Sequence, residues 1–273
     1  VTPDSFSDGG RWSPDGTAGA DATLIAEVCA SWCGAGVAIL DVGGESTRPG
    51  AATVGVDEER ARVLPILEAL RDDPRLAAAL RSIDTRHAAV ASVAVQAGAH
   101  IVNDVSGLAD PDMAGVVARQ RAGLVLGHMR GTPATMMAET SFARLFDDIA
   151  ADLERSLERA LRAGVAREAI VLDPCVGFGK DARQSAALVA SSRWLEARLG
   201  RPVLIGASRK RFLGEITGRP VNSRELASVA AAMVAVECGA AIVRVHDVGS
   251  TLEALRVRAE VLSAREAVGD STG

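Results

Sequence analysis

The sequence has few cysteines, no excess of positive charge and no long apolar run, and each shortage removes a class of protein. Cys29, Cys33, Cys175 and Cys238 are four scattered thiols in 273 residues, too few and too dispersed for a disulfide framework. Cys29 and Cys33 fall on one predicted helix, but no second Cys or His pair lies nearby to complete a tetrahedral metal site, so they read as core thiols. A formal net charge of −5 offers no basic face for nucleic acid. No stretch approaches the roughly 20 apolar residues that span a bilayer, and the first residues lack the basic, apolar and small-residue succession of a signal peptide. The expectation is a cytoplasmic protein that handles small molecules, with no nucleic acid or membrane partner.

What the chain does have is a short apolar run, repeated seven times, that ends abruptly in polar residues. The endings are AILDVGGESTRPG (Asp41 to Gly50), SIDTR (Asp84), IVNDVSG (Asn103, Asp104), LVLGHMRG (His128), IVLDPCVGFGK (Asp173 to Lys180), VLIGASRKRFLG (Ser208 to Lys210) and IVRVHDV (Arg244, His246). Between them lie alanine-rich amphipathic segments with start and stop signals: Asp21 to Cys33, Asp57 to Arg71, Arg86 to Ala97, Pro111 to Arg121, Phe142 to Ala163, Ser185 to Leu199 and Arg224 to Cys238, with Ser250 to Val261 closing the chain. Strands alternating with helices predict a parallel α/β sheet covered on both faces, whose ligand chemistry gathers at the carboxyl ends of the strands. Seven runs fall one short of a regular (β/α)₈ TIM barrel. Because the opening VTPDSFSDGG reads like a loop leaving the top of a strand, a barrel lacking its first β-strand is the expected architecture. One domain is expected over residues 1–264, with 265–273 as a frayed tail.

The endings sort into two kinds. Asp84, Asn103, Asp173 and Lys210 mix acceptors with a donor and suit a flat heterocycle carrying ring N–H, amino and carbonyl groups. Arg48, Arg244 and His246, with the hydroxyls of Ser46 and Thr47, suit a phosphate or diphosphate, since the guanidinium fork matches phosphate oxygens. Each residue also has a bland reading. Asp41, Asn103 or Asp173 alone could be a turn former or helix cap, Arg209-Lys210-Arg211 a solvated basic turn, and His87 and His100 ordinary boundary residues. Gly177-Phe178-Gly179-Lys180 lacks the spacing of a P-loop. The functional reading rests on the joint occurrence of the endings.

Quoted together, VTPDSFSDGG, DVGGESTRPGA, SIDT, NDVSG, HMRGTPATM, LDP..GFGK, GASRKRFLG and RVHDV resemble the dihydropteroate synthases, the folate-pathway enzymes that sulfonamides inhibit, from Val1 to about Leu262. The resemblance implies a pterin-binding (β/α)₈ barrel that joins 6-hydroxymethyl-7,8-dihydropterin diphosphate to 4-aminobenzoate by a dissociative substitution, releasing diphosphate. It implies that Asp84, Asn103, Asp173 and Lys210 hold the pterin, that Thr47, Arg48, Arg244 and His246 serve the diphosphate end, that Phe6, Pro49, Phe178 and Ser208 line the aminobenzoate pocket, and that Val245 is a further substrate-binding residue. Catalysis would fall to Arg48, Lys210, Arg244 and His246, with Mg²⁺ as cofactor and a homodimer formed through late helices, Ala227 to Val236 contributing a face. The family's asparagine ligand to Mg²⁺ would come just before Val1. Three further departures are Cys175 where the family usually has glycine, Gly127 for a frequent methionine, and Gln184-Ser185 for a common His-Asn pair. Competing readings are a pterin-dependent methyltransferase of the same fold, a truncated non-catalytic pterin-binding remnant, and a Lys210-dependent aldolase.

Overall fold

The computed structural model describes residues 21–46, 53–138 and 140–269. Helices and strands alternate along it: α1 (Ala22–Ala35), β1 (Ile39–Gly43), α2 (Val56–Asp72), β2 (Leu80–Asp84), α3 (Ala88–Gln96), β3 (Ile101–Asp104), α4 (Met113–Gln120), β4 (Gly123–Gly127), α5 (Leu145–Arg162), β5 (Ile170–Asp173), α6 (Ala182–Val189), α7 (Ser192–Leu199), β6 (Leu204–Ile205), α8 (Arg211–Thr217), α9 (Glu225–Glu237), β7 (Ile242–Val243) and α10 (Val248–Gly269). The strands are parallel and neighbours in sequence are neighbours in space: β1 to β5 form one sheet, a Leu172–Val203 bridge leads toward β6, and β6 pairs with β7. This is the winding of an α/β barrel. Among the described residues there are seven strands, and β1 and β7 are not paired with each other.

The side-chain period of two along each strand divides the molecule. Leu40, Val42, Ile83, Val102, Leu124, Leu126, Leu172 and Ile205 join the main apolar core with Val63, Ile66 and Leu67 of α2, Val90 and Ala94 of α3, Val117 of α4 and Leu153 and Leu157 of α5. The alternate positions, Asp41, Ser82, Asp84, Asn103 and Val125, face a cavity of about 940 Å³ inside the barrel. Hydrophobic burial therefore holds helices onto the outside of the sheet, while small and polar residues leave the inside open.

Several local expectations are refined. Asp21 caps α1 by accepting from the N–H groups of Thr23 (2.9 Å) and Leu24 (3.1 Å), and Gly36 ends it at φ +116°, as start and stop signals foretell. The single helix expected over Ser185–Leu199 is two helices. A capping box between Asp181 and Gln184 starts α6 early, and Ser191, whose hydroxyl donates back to the Leu188 carbonyl at 2.8 Å, separates it from α7. Helix α8 begins within the run read as a basic turn. The tail expected from Arg265 continues α10 as far as Gly269, because Ala264, Arg265, Glu266 and Ala267 are good helix formers even where amphipathic periodicity has faded. Among the described residues no helix is long and apolar enough to cross a membrane.

Gly127, last residue of β4, is dictated by its neighbours. A methyl group there would lie 2.5 Å from the Val105 Cα, 2.8 Å from the Asp104 carbonyl oxygen and 2.9 Å from the Cys175 Sγ. The thiol does occupy space beside position 127, but the two tightest contacts are backbone and cannot rotate away. Gly127→Ala is expected to destabilise the fold by about 3 kcal/mol, read as a lower denaturant midpoint, and a second change of Cys175→Gly should not restore it. Full recovery in the double variant would show that the thiol alone forbids the side chain.

Candidate active site

Register places the first contacts. Asp84 pairs with Asn103 across β2 and β3, and Gly43 with Asp84 across β1 and β2, so these strand ends stand side by side roughly 4.8 Å apart. Arg244, just after β7, reaches across the barrel mouth: its Nη1 donates to Asp84 Oδ2 at 3.0 Å and to Asp41 Oδ2 at 3.1 Å. Asn103 Nδ2 donates to the same Asp41 oxygen at 3.2 Å. Asp41, which sequence reasoning left among turn formers, is therefore a junction of the site, and the signal that could have found it was its position at the end of an apolar run.

That junction leaves an asymmetric set of acceptors. The carboxylate of Asp173, 1% exposed, takes the Cys175 N–H on Oδ1 at 2.7 Å. Its Oδ2, together with Asp84 Oδ1 and Asn103 Oδ1, is buried without a hydrogen-bond partner among the described residues. Three buried acceptors with nothing to accept cost free energy in the empty protein. A ligand that presents several N–H donors would satisfy them together. The cavity wall also holds Lys210, whose ammonium sits 4.0 Å from the centre of the Phe178 ring, a cation–π arrangement. Lys210 is the residue preceding α8, and Gly177 at φ +86° lets the opposite loop come close enough for its missing Cβ to lie 3.3 Å from Lys210 Cδ.

Burial sets the protonation. Removal from water, reinforced by the charge of Asp41, pushes the Asp84 carboxyl up to about 7 although Arg244 opposes it. Burial likewise raises the Asp173 carboxyl, against Arg244 and the Cys175 N–H. Burial and the charge of Arg244 bring Lys210 down to about 8. Burial and the charge of Asp173 take the Cys175 thiol up to about 12, so it stays a thiol. For Asp84 the linkage has a definite sign. Its folded value lies above the ordinary 3.8, so between these pH values the unfolded chain has released a proton that the folded one keeps, and stability falls as pH rises toward 7, then levels. Asp84→Asn is expected to flatten the stability profile between pH 4 and 7, measured by denaturant midpoints; an unchanged slope would remove Asp84 as its source.

At the other side of the mouth Ser208 brackets His246: its hydroxyl oxygen accepts the His246 N–H at 3.3 Å and lies 3.0 Å from the ring Nδ1. Ser46, Phe178, Ser208, Val245 and His246 all border the cavity with Asp84, Asn103, Lys210 and Arg244. Glu45 pins the base of the neighbouring loop. Arg86 donates to its two carboxylate oxygens at 2.8 and 3.0 Å, and the Val54 N–H adds a bond at 3.1 Å. Phe6, Thr47, Arg48 and Pro49 lie outside the described residues. His87 pairs with buried Glu59 at 2.7 Å and His100 Nδ1 accepts the Arg81 N–H at 3.1 Å; neither borders the cavity. Cys29 and Cys33 are free thiols, Cys29 fully buried, in agreement with the core reading. Among the described residues no group of three or more His, Cys, Asp or Glu side chains is placed to hold a metal ion.

The arrangement can bind a flat, N–H-rich heterocycle against three acceptors and one ammonium, with cationic and imidazole groups beside it. Comparison with known proteins agrees. A family model described as "Pterin binding enzyme" matches residues 1–246. The dihydropteroate synthase of Synechocystis sp. is 40% identical over 259 residues, 94% of this chain and 86% of that protein. Among solved structures, the Yersinia pestis dihydropteroate synthase with a sulfonamide drug complex superposes with a TM-score of 0.87 at 36% identity, covering 96% of this chain and 92% of that one. The Xanthomonas albilineans enzyme with 4-aminobenzoic acid gives 0.80 at 38% identity, covering 96% and 90%.

Proposed function

Because the chain belongs to the dihydropteroate synthase family of pterin-binding enzymes, we propose that its cavity carries out the family reaction, the transfer of a pterin-methyl group from diphosphate to the amino nitrogen of 4-aminobenzoate. The observation that carries this reading is the trio of unpartnered buried acceptors, Asp84 Oδ1, Asn103 Oδ1 and Asp173 Oδ2, of which Asp84 and Asn103 border one cavity with Lys210. A pterin offers an amino group and ring N–H groups to acceptors and a ring carbonyl to a lysine, and so matches this set in number and sign.

In the proposed mechanism the carboxylates and Asn103 hold the heterocycle, and Lys210 donates to its carbonyl. The bond between the pterin methylene and the diphosphate oxygen breaks, its electron pair leaving with diphosphate. Arg244 and His246, with Arg48 and Thr47 by resemblance, stabilise that developing charge. The aniline lone pair then forms the new C–N bond, and the nitrogen loses its proton to solvent. No protein nucleophile takes part. Phe178 and Ser208, with Phe6 and Pro49 by resemblance, form the aminobenzoate side of the cavity, a place where a sulfonamide would compete.

Mg²⁺ belongs to the proposal through the resemblance alone. The described residues do not form a metal cluster, and no step above passes through the ion. Homodimer formation is proposed on the exposed Leu226 and Val234 of α9 and Val257 and Val261 of α10, helices that pack together late in the chain. A cytoplasmic location is proposed from composition. The synthase relatives leave the methyltransferase, remnant and aldolase readings without support.

The test is product formation. The purified chain, given pterin diphosphate, 4-aminobenzoate and Mg²⁺, should release one diphosphate for each dihydropteroate formed, and calorimetry with and without Mg²⁺ should show whether the ion contributes to pterin diphosphate binding. Diphosphate release that does not depend on 4-aminobenzoate, or no binding of the pterin, would overturn the reading.

A further inference from the structure

Lys180 closes the motif Gly177-Phe178-Gly179-Lys180, and the mechanism above makes no use of it. Its side chain is 2% exposed, an expensive place for an ammonium. Both hydrogen bonds it makes go to His128, the residue after β4: to the ring Nδ1 at 2.9 Å and to the backbone carbonyl at 2.8 Å. An ammonium has no lone pair to offer, so Nδ1 accepts and the proton of the ring lies on Nε2. That nitrogen faces Asp152 Oδ2 of α5 at 3.0 Å. Asp152 is held in turn by Arg130 Nε at 3.0 Å and by Arg155. Burial and the Lys180 charge bring His128 down to about 4, which keeps the ring neutral between the two charges. His128 also donates its own N–H to the Asp173 carbonyl at 3.0 Å. One residue thus grips both ends of the loop after β5, Asp173 at its start and Lys180 at its finish.

We propose that Lys180, His128 and Asp152 form a positioning clamp that sets the Asp173–Lys180 loop, and through it Phe178, for recognition of the aromatic acceptor. The proposal deepens the functional reading above and rests on it. The two ends of the loop respond differently to loss of the clamp. Asp173 belongs to β5, paired with Gly127 in the sheet, and keeps its Cys175 N–H bond without Lys180. Phe178 lies beyond Cys175, which adopts φ +50°, and between Gly177 at φ +86° and Gly179 at φ +62°. Glycines on both sides give the backbone freedom to leave this conformation, and Lys180 is the first anchored side chain after it. Removing the ammonium leaves the ring of Phe178 positioned only by its place in the apolar cluster of Val105, Met129, Met136 and Cys175, while the pterin acceptors stay in place.

The experiment uses Lys180→Met, which keeps the length of the side chain, and Asp152→Asn, which keeps the shape of a partly exposed side chain on α5. Steady-state kinetics give KM for 4-aminobenzoate, and calorimetry gives Kd for the pterin diphosphate. Lys180→Met is expected to raise KM for 4-aminobenzoate at least fivefold with pterin Kd within twofold; Asp152→Asn should show the same split with a smaller rise. His128→Leu added to Lys180→Met should cost little more, because both act through one clamp. Equal losses in both ligands, or an unchanged KM in a folded Asp152→Asn protein, would overturn the proposal. A wild-type chain that binds neither ligand would overturn the functional reading itself, whereas active wild type with unaltered variants would overturn the clamp alone.

Discussion

Arg244→Ala is expected to lower turnover at least about tenfold, equivalent to roughly 1.4 kcal/mol of barrier, and to destabilise the empty protein as well. The two effects have different origins. In the proposed reaction the guanidinium meets the charge that develops on departing diphosphate, a contribution confined to the transition state, so kcat should fall together with kcat/KM. In the resting protein the same group is the shared counter-ion of Asp41 and Asp84, at 3.1 and 3.0 Å. Breaking a largely buried pair leaves carboxylates close to one another without compensation, a loss of about 3 kcal/mol. The Asp84 carboxyl, already raised by burial and by Asp41, would rise further, and stability would go on declining to higher pH than in the wild type. Single-turnover rates and denaturant midpoints at pH 5 and 8 check both. Unchanged turnover would remove Arg244 from the leaving-group role, and an unchanged midpoint would show that the aspartates find other partners.

Asp173→Asn is expected to separate binding from stability in the opposite manner. The exchange keeps the shape of the side chain and its ability to accept the Cys175 N–H on one oxygen, but removes a buried charge and turns an acceptor into a donor. A charge-assisted hydrogen bond contributes about 1.5–3 kcal/mol, so the affinity for pterin diphosphate should drop roughly 10- to 150-fold. The empty protein should be no less stable, since burial disfavours this carboxylate's ionised form and the neutral amide has no such penalty. Calorimetry and thermal melts of the same preparation read both quantities. Retained affinity would show that Asp173 is a turn residue, the bland reading open to any Asp-Pro after a strand; a large loss of stability would show that its charge holds the fold.

Much of the architecture was legible because it depends on local patterns. Apolar runs closed by polar residues mark β1 to β7, and Asp21 and Gly36 mark the ends of α1 through hydrogen bonds within a few residues, whereas the Asp181–Gln184 box starts α6 ahead of the expected Ser185. Where the pattern failed, the cause was also local but finer. A serine pair divides α6 from α7, and a run of basic residues hides the start of α8, whose buried face is only Phe212 and Leu213. Of the site, Asp84, Asn103, Asp173, Lys210, Arg244 and His246 were readable as strand endings, and their sorting into heterocycle and anion groups needed only charge and hydrogen-bonding capacity. Arg244 is the instructive exception. Charge alone assigned it to the anion, whereas in the structure it is also the counter-ion of the heterocycle side, bonded to Asp41 and Asp84.

By itself, then, the order of residues determined the strand and helix alternation, the parallel barrel class and the chemical inventory at the strand ends, because these follow from hydrophobic period and from what each side chain can donate or accept. Tertiary structure alone decided which groups are satisfied and which wait for a ligand. The junction at Asp41, the three unpartnered acceptors, the backbone that forbids a side chain at Gly127 and the burial of Lys180 against His128 all arise between residues far apart in the chain. Burial and partnership are properties of a neighbourhood, and no single strand ending carries its neighbours in its own sequence.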